Sequence, residues 1–139
     1  MKLDKVINWN LNEGFHQARI ADARLNKKCV GNKDEWELRL IFEIISSIHP
    51  TKKYMAKRVY RKCDSLEIIG DLEHLLGDNI NSVINLAGEI IPDALVILQE
   101  MLVDIEVEHV HGKDHDNPFC LVSQVRKAGV LIEQIRSAA

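Results

Sequence analysis

Apolar and polar residues alternate most regularly over 36–44. Trp36, Leu38, Leu40, Phe42 and Ile44 fall on one side, and Glu37, Arg39, Ile41 and Glu43 on the other. Period-2 alternation of this length predicts a strand with one buried face. A second strand is predicted over 15–24, opened by Glu13-Gly14, with Ala18 and Ile20 on one face and Gln17 and Arg19 on the other. Between the two, NKKCVGNKDE (26–35) reads as a charged loop turning at Gly31-Asn32. Residues 46–53 read as a connector in which Pro50 bars ladder pairing. A third strand follows over 54–62, YMAKRVYRK. Tyr54, Ala56, Arg58, Tyr60 and Lys62 share one of its faces, and Met55, Lys57, Val59 and Arg61 the other. Both faces mix cations with apolar groups, so the alternation does not say which one meets the core.

The period then changes. Asp64-Ser65 supplies an N-cap, and Leu66, Ile69, Leu72, Leu75 and Leu76 follow at helical spacing up to Gly77, the residue expected just past a helix end. A short helix or turn is expected over 79–88, and Pro92 opens another helical stretch. Alternation returns over 102–110, where Val103, Ile105 and Val107 interleave with Asp104, Glu106 and Glu108. The turn HGKDHDNP (111–118) leads to a fifth strand over 119–126. Residues 1–13 read as an arm or short helix and 127–139 as a terminal helix or tail. The predicted class is α+β, mainly β. Its layout is an OB-fold-like five-stranded Greek-key barrel over 14–126, with the helical block between strands three and four. A hairpin pair packed on a helix in another α+β arrangement is the competing layout.

Composition fits one globular domain: 139 residues, 46% apolar and 28% charged. The longest apolar runs fall well short of the ~18 residues of a membrane span. Asp4 and Asn8 interrupt the N-terminal stretch where a secretory signal would be apolar. A cytoplasmic protein is therefore expected. Cys29, Cys63 and Cys120 are too few and too scattered for a disulfide framework or zinc ribbon, and read as reduced thiols. The net charge of −3 conceals segregation. Residues 1–63 hold 14 Lys/Arg against 7 Asp/Glu, whereas 64–116 hold Lys113 alone against 13 acidic residues. That distribution permits a polyanionic partner although the total does not suggest one.

With these elements placed, the chain resembles a family of small phage and prophage OB-fold proteins, many of them labelled single-stranded DNA-binding proteins. The resemblance lies in the Gly14 strand opening with Ala18 and Ile20, the strand WELRLIFEI, the basic strand KRVYRK, the helix SLEIIGDLEHLLG, the acidic fourth strand and the GKDHDN turn. It covers roughly 14–126. Where similar proteins often carry an aromatic residue two positions before the alanine, this chain has His16. The resemblance implies an OB-type fold and a role in phage-type DNA replication or recombination.

Three features bear on function. No acidic residue occurs from Ile44 to Cys63, where Lys52, Lys53, Lys57, Arg58, Arg61 and Lys62 interleave with Tyr54 and Tyr60. Cations that track phosphates beside aromatic rings that stack on bases suit a single strand. Arg39, with Lys27, Lys28 and Lys33, would extend the surface, and Lys113 could touch the strand from its turn. The competing interpretation is a solvated basic face balanced by the acidic helices, with the tyrosines and Trp36 in the core. Second, His109, His111, His115 and Asp116 cluster around a turn, but they lack the spacing of a recognised zinc site and have no paired carboxylates. A metal-dependent nuclease is the alternative these histidines raise, but no metal and no cofactor are expected. Third, the acidic block is read as solvation that confines the polyanion to one face, with docking of a basic partner or mimicry of DNA as the alternatives. No nucleophile motif or glycine-rich phosphate loop is present. The expectation is a binding protein, not an enzyme. It would engage single-stranded DNA without strong sequence preference, with Lys57, Arg58, Arg61 and Lys62 on phosphates and Tyr54 and Tyr60 on bases. Homo-oligomers and replication or recombination proteins are further expected partners.

Overall fold

A computed structural model describes residues 6–45, 51–61, 65–110 and 119–129. Among them lie six strands: β1 (Val6–Asn8), β2 (Gly14–Val30), β3 (Lys33–Ile44), β4 (Lys52–Arg61), β5 (Leu102–Val110) and β6 (Phe119–Lys127). One α-helix, α1 (Ser65–Leu76), and two 3₁₀ segments, Gly77–Ser82 and Pro92–Leu98, fill the stretch between β4 and β5. The strands form one sheet in the order β1-β4-β3-β2-β5-β6. Every pairing is antiparallel except β1 with β4, which is parallel.

The inward rows account for the curl. Ala18, Ile20, Leu38, Leu40, Phe42, Val103, Ile105, Val107, Val122 and Val125 are all buried in one cluster. Ile68, Leu72, Leu75 and Leu76 of α1 close that cluster from below. A sheet with its whole apolar face on one side curls around that face and leaves the polar rows outside. β2 serves both halves of the sheet. Its first residues pair with β5 as far as Arg19, and from Ala18 onward it pairs with β3. A register shift at Ile20/Asp22 marks the bend, where Ile20 exchanges backbone hydrogen bonds with Met101 and Glu100 at 2.9 and 2.8 Å.

β4 and β6 are not ladder neighbours, yet they approach across the open seam of this half-barrel. Each end of the seam is held differently. At one end β1 lies along the start of β4, with Asn8 opposite Tyr54. The chain then crosses to the β5–β6 pair, where the buried Leu11 donates its N–H to Cys120 Sγ at 3.4 Å and its carbonyl accepts from His109 Nε2 at 2.6 Å. At the other end the Arg58 guanidinium of β4 donates to the Val122 carbonyl of β6.

Several expectations change. The sheet has six strands, because part of the expected N-terminal arm pairs as β1, so the five-strand order is not reproduced as such. The expected 26–35 loop is a continuation of the β2–β3 hairpin, paired up to Val30 opposite Lys33. A two-residue turn at Gly31-Asn32 suffices, with Gly31 at φ +64°. The register sets residue 28 opposite Glu35, so the ladder continues through this charged stretch. Helix α1 keeps its expected ends, and Gly77 takes the left-handed φ of +57° that closes it. Its buried face is rotated from the expected one: Ile68 is buried and Leu66 is exposed. The helical stretch after Pro92 is 3₁₀. Of the expected terminal helix or tail over 127–139, Lys127 ends β6 instead, and 130–139 lie outside the described residues. Among the described residues no helix is long and apolar enough to cross a membrane.

Candidate nucleic-acid interface

The structure decides which face of β4 meets the core. Leu38, Leu40 and Phe42 of β3 point inward, and their Cα partners on β4 are Tyr60, Arg58 and Ala56. The inward row of β4 is therefore Tyr54, Ala56, Arg58 and Tyr60. Lys53, Met55, Lys57, Val59 and Arg61 form the outward row; Met55 is buried there and Val59 exposed.

The inward row corrects the expected roles of three residues. Tyr60 is 2% exposed, and its hydroxyl donates to Asp71 Oδ2 at 2.5 Å, so it cannot stack on a base. Burial first, and then the adjoining Asp71 charge, hold that hydroxyl well above the ordinary tyrosine pKa. Tyr54 is half-buried against the core cluster. Arg58, with a side chain 10% exposed, is committed to the seam instead of a phosphate. It donates to Glu67 and to the Val122 carbonyl, and its guanidinium carbon lies 4.9 Å from the Tyr60 ring centroid. Its Nε lies 3.3 Å from Asp71 Oδ2 without hydrogen-bond alignment. Arg126 of β6 reaches Asp71 Oδ1, also at 3.3 Å. Asp71 thus joins α1, β4 and β6, and the network explains how one arginine of a basic run becomes a structural residue. Trp36 is half-buried against the same core.

The outward row is where cations gather. Across β2, β3 and β4 the ladders align Arg24, Arg39 and Val59, then Asp22, Ile41 and Lys57, then Asn26, Glu37 and Arg61, and finally Arg19, Glu43 and Met55. Lys52, Lys57 and Arg61 are exposed. Lys53 lies 3.4 Å from Glu43, Arg39 lies 3.2 Å from Glu37, and Arg24 lies 2.8 Å from Asp22. Arg19 bonds Glu43 and, at 2.6 Å, Glu100. Burial costs the Arg19 cation, but the hydrogen bonds and charges of Glu43 and Glu100 outweigh that cost and raise its pKa. Burial likewise pushes Glu43 up, and Arg19 and Lys53 more than reverse it, leaving its carboxyl below the ordinary range. The face is therefore a lattice of exchangeable ion pairs in which cations outnumber anions, with Ile41 and Val59 between them. Arg24 and Arg19 escaped the sequence analysis because only the β2–β3 register brings them beside the third strand.

The remaining candidates separate from this face. Lys62, Lys113, His111, His115 and Asp116 lie outside the described residues. His109 belongs to the N-terminal latch. Its Nε2 carries the proton donated to the Leu11 carbonyl, its backbone N–H donates to Glu13 Oε1 at 3.1 Å, and its Nδ1 lies 3.7 Å from that same oxygen. Among the described residues no group of three or more His, Cys, Asp or Glu is placed to hold a metal ion. Compared with protein-family models and with curated proteins, the chain matches none.

Proposed function

We propose that the chain binds single-stranded DNA without strong sequence preference, through the outward face of β2, β3 and β4. One observation carries this reading: Lys53, Lys57, Arg61, Arg39 and Arg24 share one side of the curled sheet, while the two 3₁₀ segments carry acidic Asp78 and Asp93. A flexible polyanion suits such a strip, because each phosphate can replace one of the local carboxylate partners and release counterions. Ile41 and Val59 offer apolar surface to sugars and base edges. The long strands and α1 follow the order strand, strand, strand, helix, strand, strand, and an OB-type barrel with an added N-terminal strand accounts for that order. In such barrels the face of the second and third strands takes oligonucleotides. A role in phage-type DNA replication or recombination inside the cell, as part of a homo-oligomer, is consistent with so small a site.

A second reading, a protein-interaction module, has its own observation. Leu86 is fully exposed, and Val96 and Ile97 are exposed nearby in sequence, among acidic residues. Fluorescence anisotropy of a labelled oligo-dT of ~30 nucleotides separates the two. The DNA reading expects binding whose log affinity falls against log salt with a slope of about −3, or about −0.7 for each of roughly four phosphates. No binding at low salt overturns it in favour of the interaction module.

A further inference from the structure

Base stacking needs an exposed ring beside the cations, and the two tyrosines expected to supply it face inward. The described aromatic side chains divide cleanly. Phe42 and Tyr60 are buried, and Trp36 and Tyr54 pack against the core. Phe15 and Trp9 are exposed, at 39% and 44%. Phe15 sits opposite Glu106 on the β2–β5 ladder and two residues from Glu13, so its surroundings repel a phosphate chain. Trp9 is placed otherwise. It directly follows β1, whose ladder sets Val6, Ile7 and Asn8 opposite Lys52, Lys53 and Tyr54. It precedes Leu11, which is fastened to Cys120 and His109 across the seam. Asn8 Oδ1 accepts the Asn10 N–H at 2.8 Å, which turns the chain at this point. The indole is thus held on a short, doubly anchored segment just past the Asn8–Tyr54 pairing of β1 with β4 and remains open to solvent.

We infer that Trp9 is a base-stacking residue of the nucleic-acid site, with β1 extending that site beyond the sheet of β2, β3 and β4. The bound strand runs along β4 from Arg61 towards Lys52 and sets one base on the indole, its phosphates passing Lys57 and Lys53. The inference rests on the proposed single-strand reading and adds a residue and a direction to it. Apolar exposure at Ile7, which pairs with the outward Lys53, and at Trp9 has a use on this account: it forms an apolar floor for a base and its sugar.

The test uses the full chain carrying Trp36→Phe, so that Trp9 is the sole tryptophan, excited at a wavelength tyrosine does not absorb. Titration with oligo-dT is expected to quench the indole emission saturably, in step with anisotropy of a labelled strand. Trp9→Ala should weaken oligo-dT binding about tenfold or more, within the range measured for one stacked base, and Trp9→Phe should restore most of it. The salt slope should stay unchanged, because no phosphate contact is lost. Salt-dependent binding that leaves Trp9 emission unaltered and that Trp9→Ala does not weaken overturns the inference while leaving the single-strand reading intact. Absence of oligo-dT binding by the unsubstituted chain overturns both. If Trp36→Phe disturbs folding, the Trp9→Ala and Trp9→Phe affinities in the otherwise natural chain decide the matter alone.

Discussion

Lys57 and Arg58 are chain neighbours and both cationic, yet β4 sends them to opposite environments. Lys57 stands in an exposed row with Arg61, beside Ile41 and Val59. Arg58 is enclosed by Asp71, Glu67, Tyr60 and the Val122 carbonyl. The same charge is a surface feature in one case and a structural bridge in the other. The difference comes from a period of two meeting an open barrel seam. Where two strands do not form a ladder, a guanidinium with several donors can bond a backbone carbonyl and a carboxylate together. A basic stretch in a sequence is therefore two populations of residues, and substitutions should separate them.

The largest effect is expected from Arg58→Glu. It would set a third carboxylate beside Asp71 and Glu67 in a nearly closed site and leave the Val122 carbonyl without its donor. Breaking a buried pair of this kind costs about 3–5 kcal/mol. Denaturant unfolding should show a stability loss of that order or no cooperative transition. A loss below about 1 kcal/mol would place Arg58 with the surface residues. Tyr60→Phe sharpens the same side of the comparison more gently. It keeps the ring under Arg58 and removes the hydroxyl that donates to Asp71, for an expected loss of about 1–2 kcal/mol in the same assay.

Lys57→Glu with Arg61→Glu tests the other side. Exposed charges contribute little to folding, so stability should change by less than about 1 kcal/mol. The acid range gives the smallest expected effect. Glu43 has a depressed folded pKa, so its stabilising contribution is complete above the ordinary glutamate range. That contribution is lost as pH falls through the folded value. Glu43→Gln should flatten this part of the acid-unfolding profile and leave stability near neutrality slightly reduced. An unchanged profile would mean that Arg19 and Lys53 do not hold Glu43 as described.

Local signals made parts of this fold legible. Helical spacing from Leu66 onward and the glycine at 77 bounded α1, since a left-handed C-cap acts within a turn of the helix end. The alternation over 36–44 marked the inward row of β3. The hairpin arm over 26–35 was hidden, because NKKCVGNKDE is charged and carries no period-2 apolar pattern. β1 was too short to carry a periodic pattern. The site was legible as a basic stretch but not as a face. Tyr60 reads as a base platform until Asp71, eleven residues on and in a different element, takes its hydroxyl. Arg24 and Arg39 meet only through the β2–β3 register.

The most direct measurement is oligo-dT anisotropy at low salt for the chain carrying Lys57→Glu and Arg61→Glu, with cooperative unfolding verified on the same sample. The account predicts a folded protein whose affinity drops at least about tenfold and whose salt slope becomes shallower by about 1.4, or about 0.7 for each lost phosphate contact. A folded double variant that binds as tightly as the unsubstituted chain, with the same salt slope, would contradict it and remove the outward face of β4 from the site.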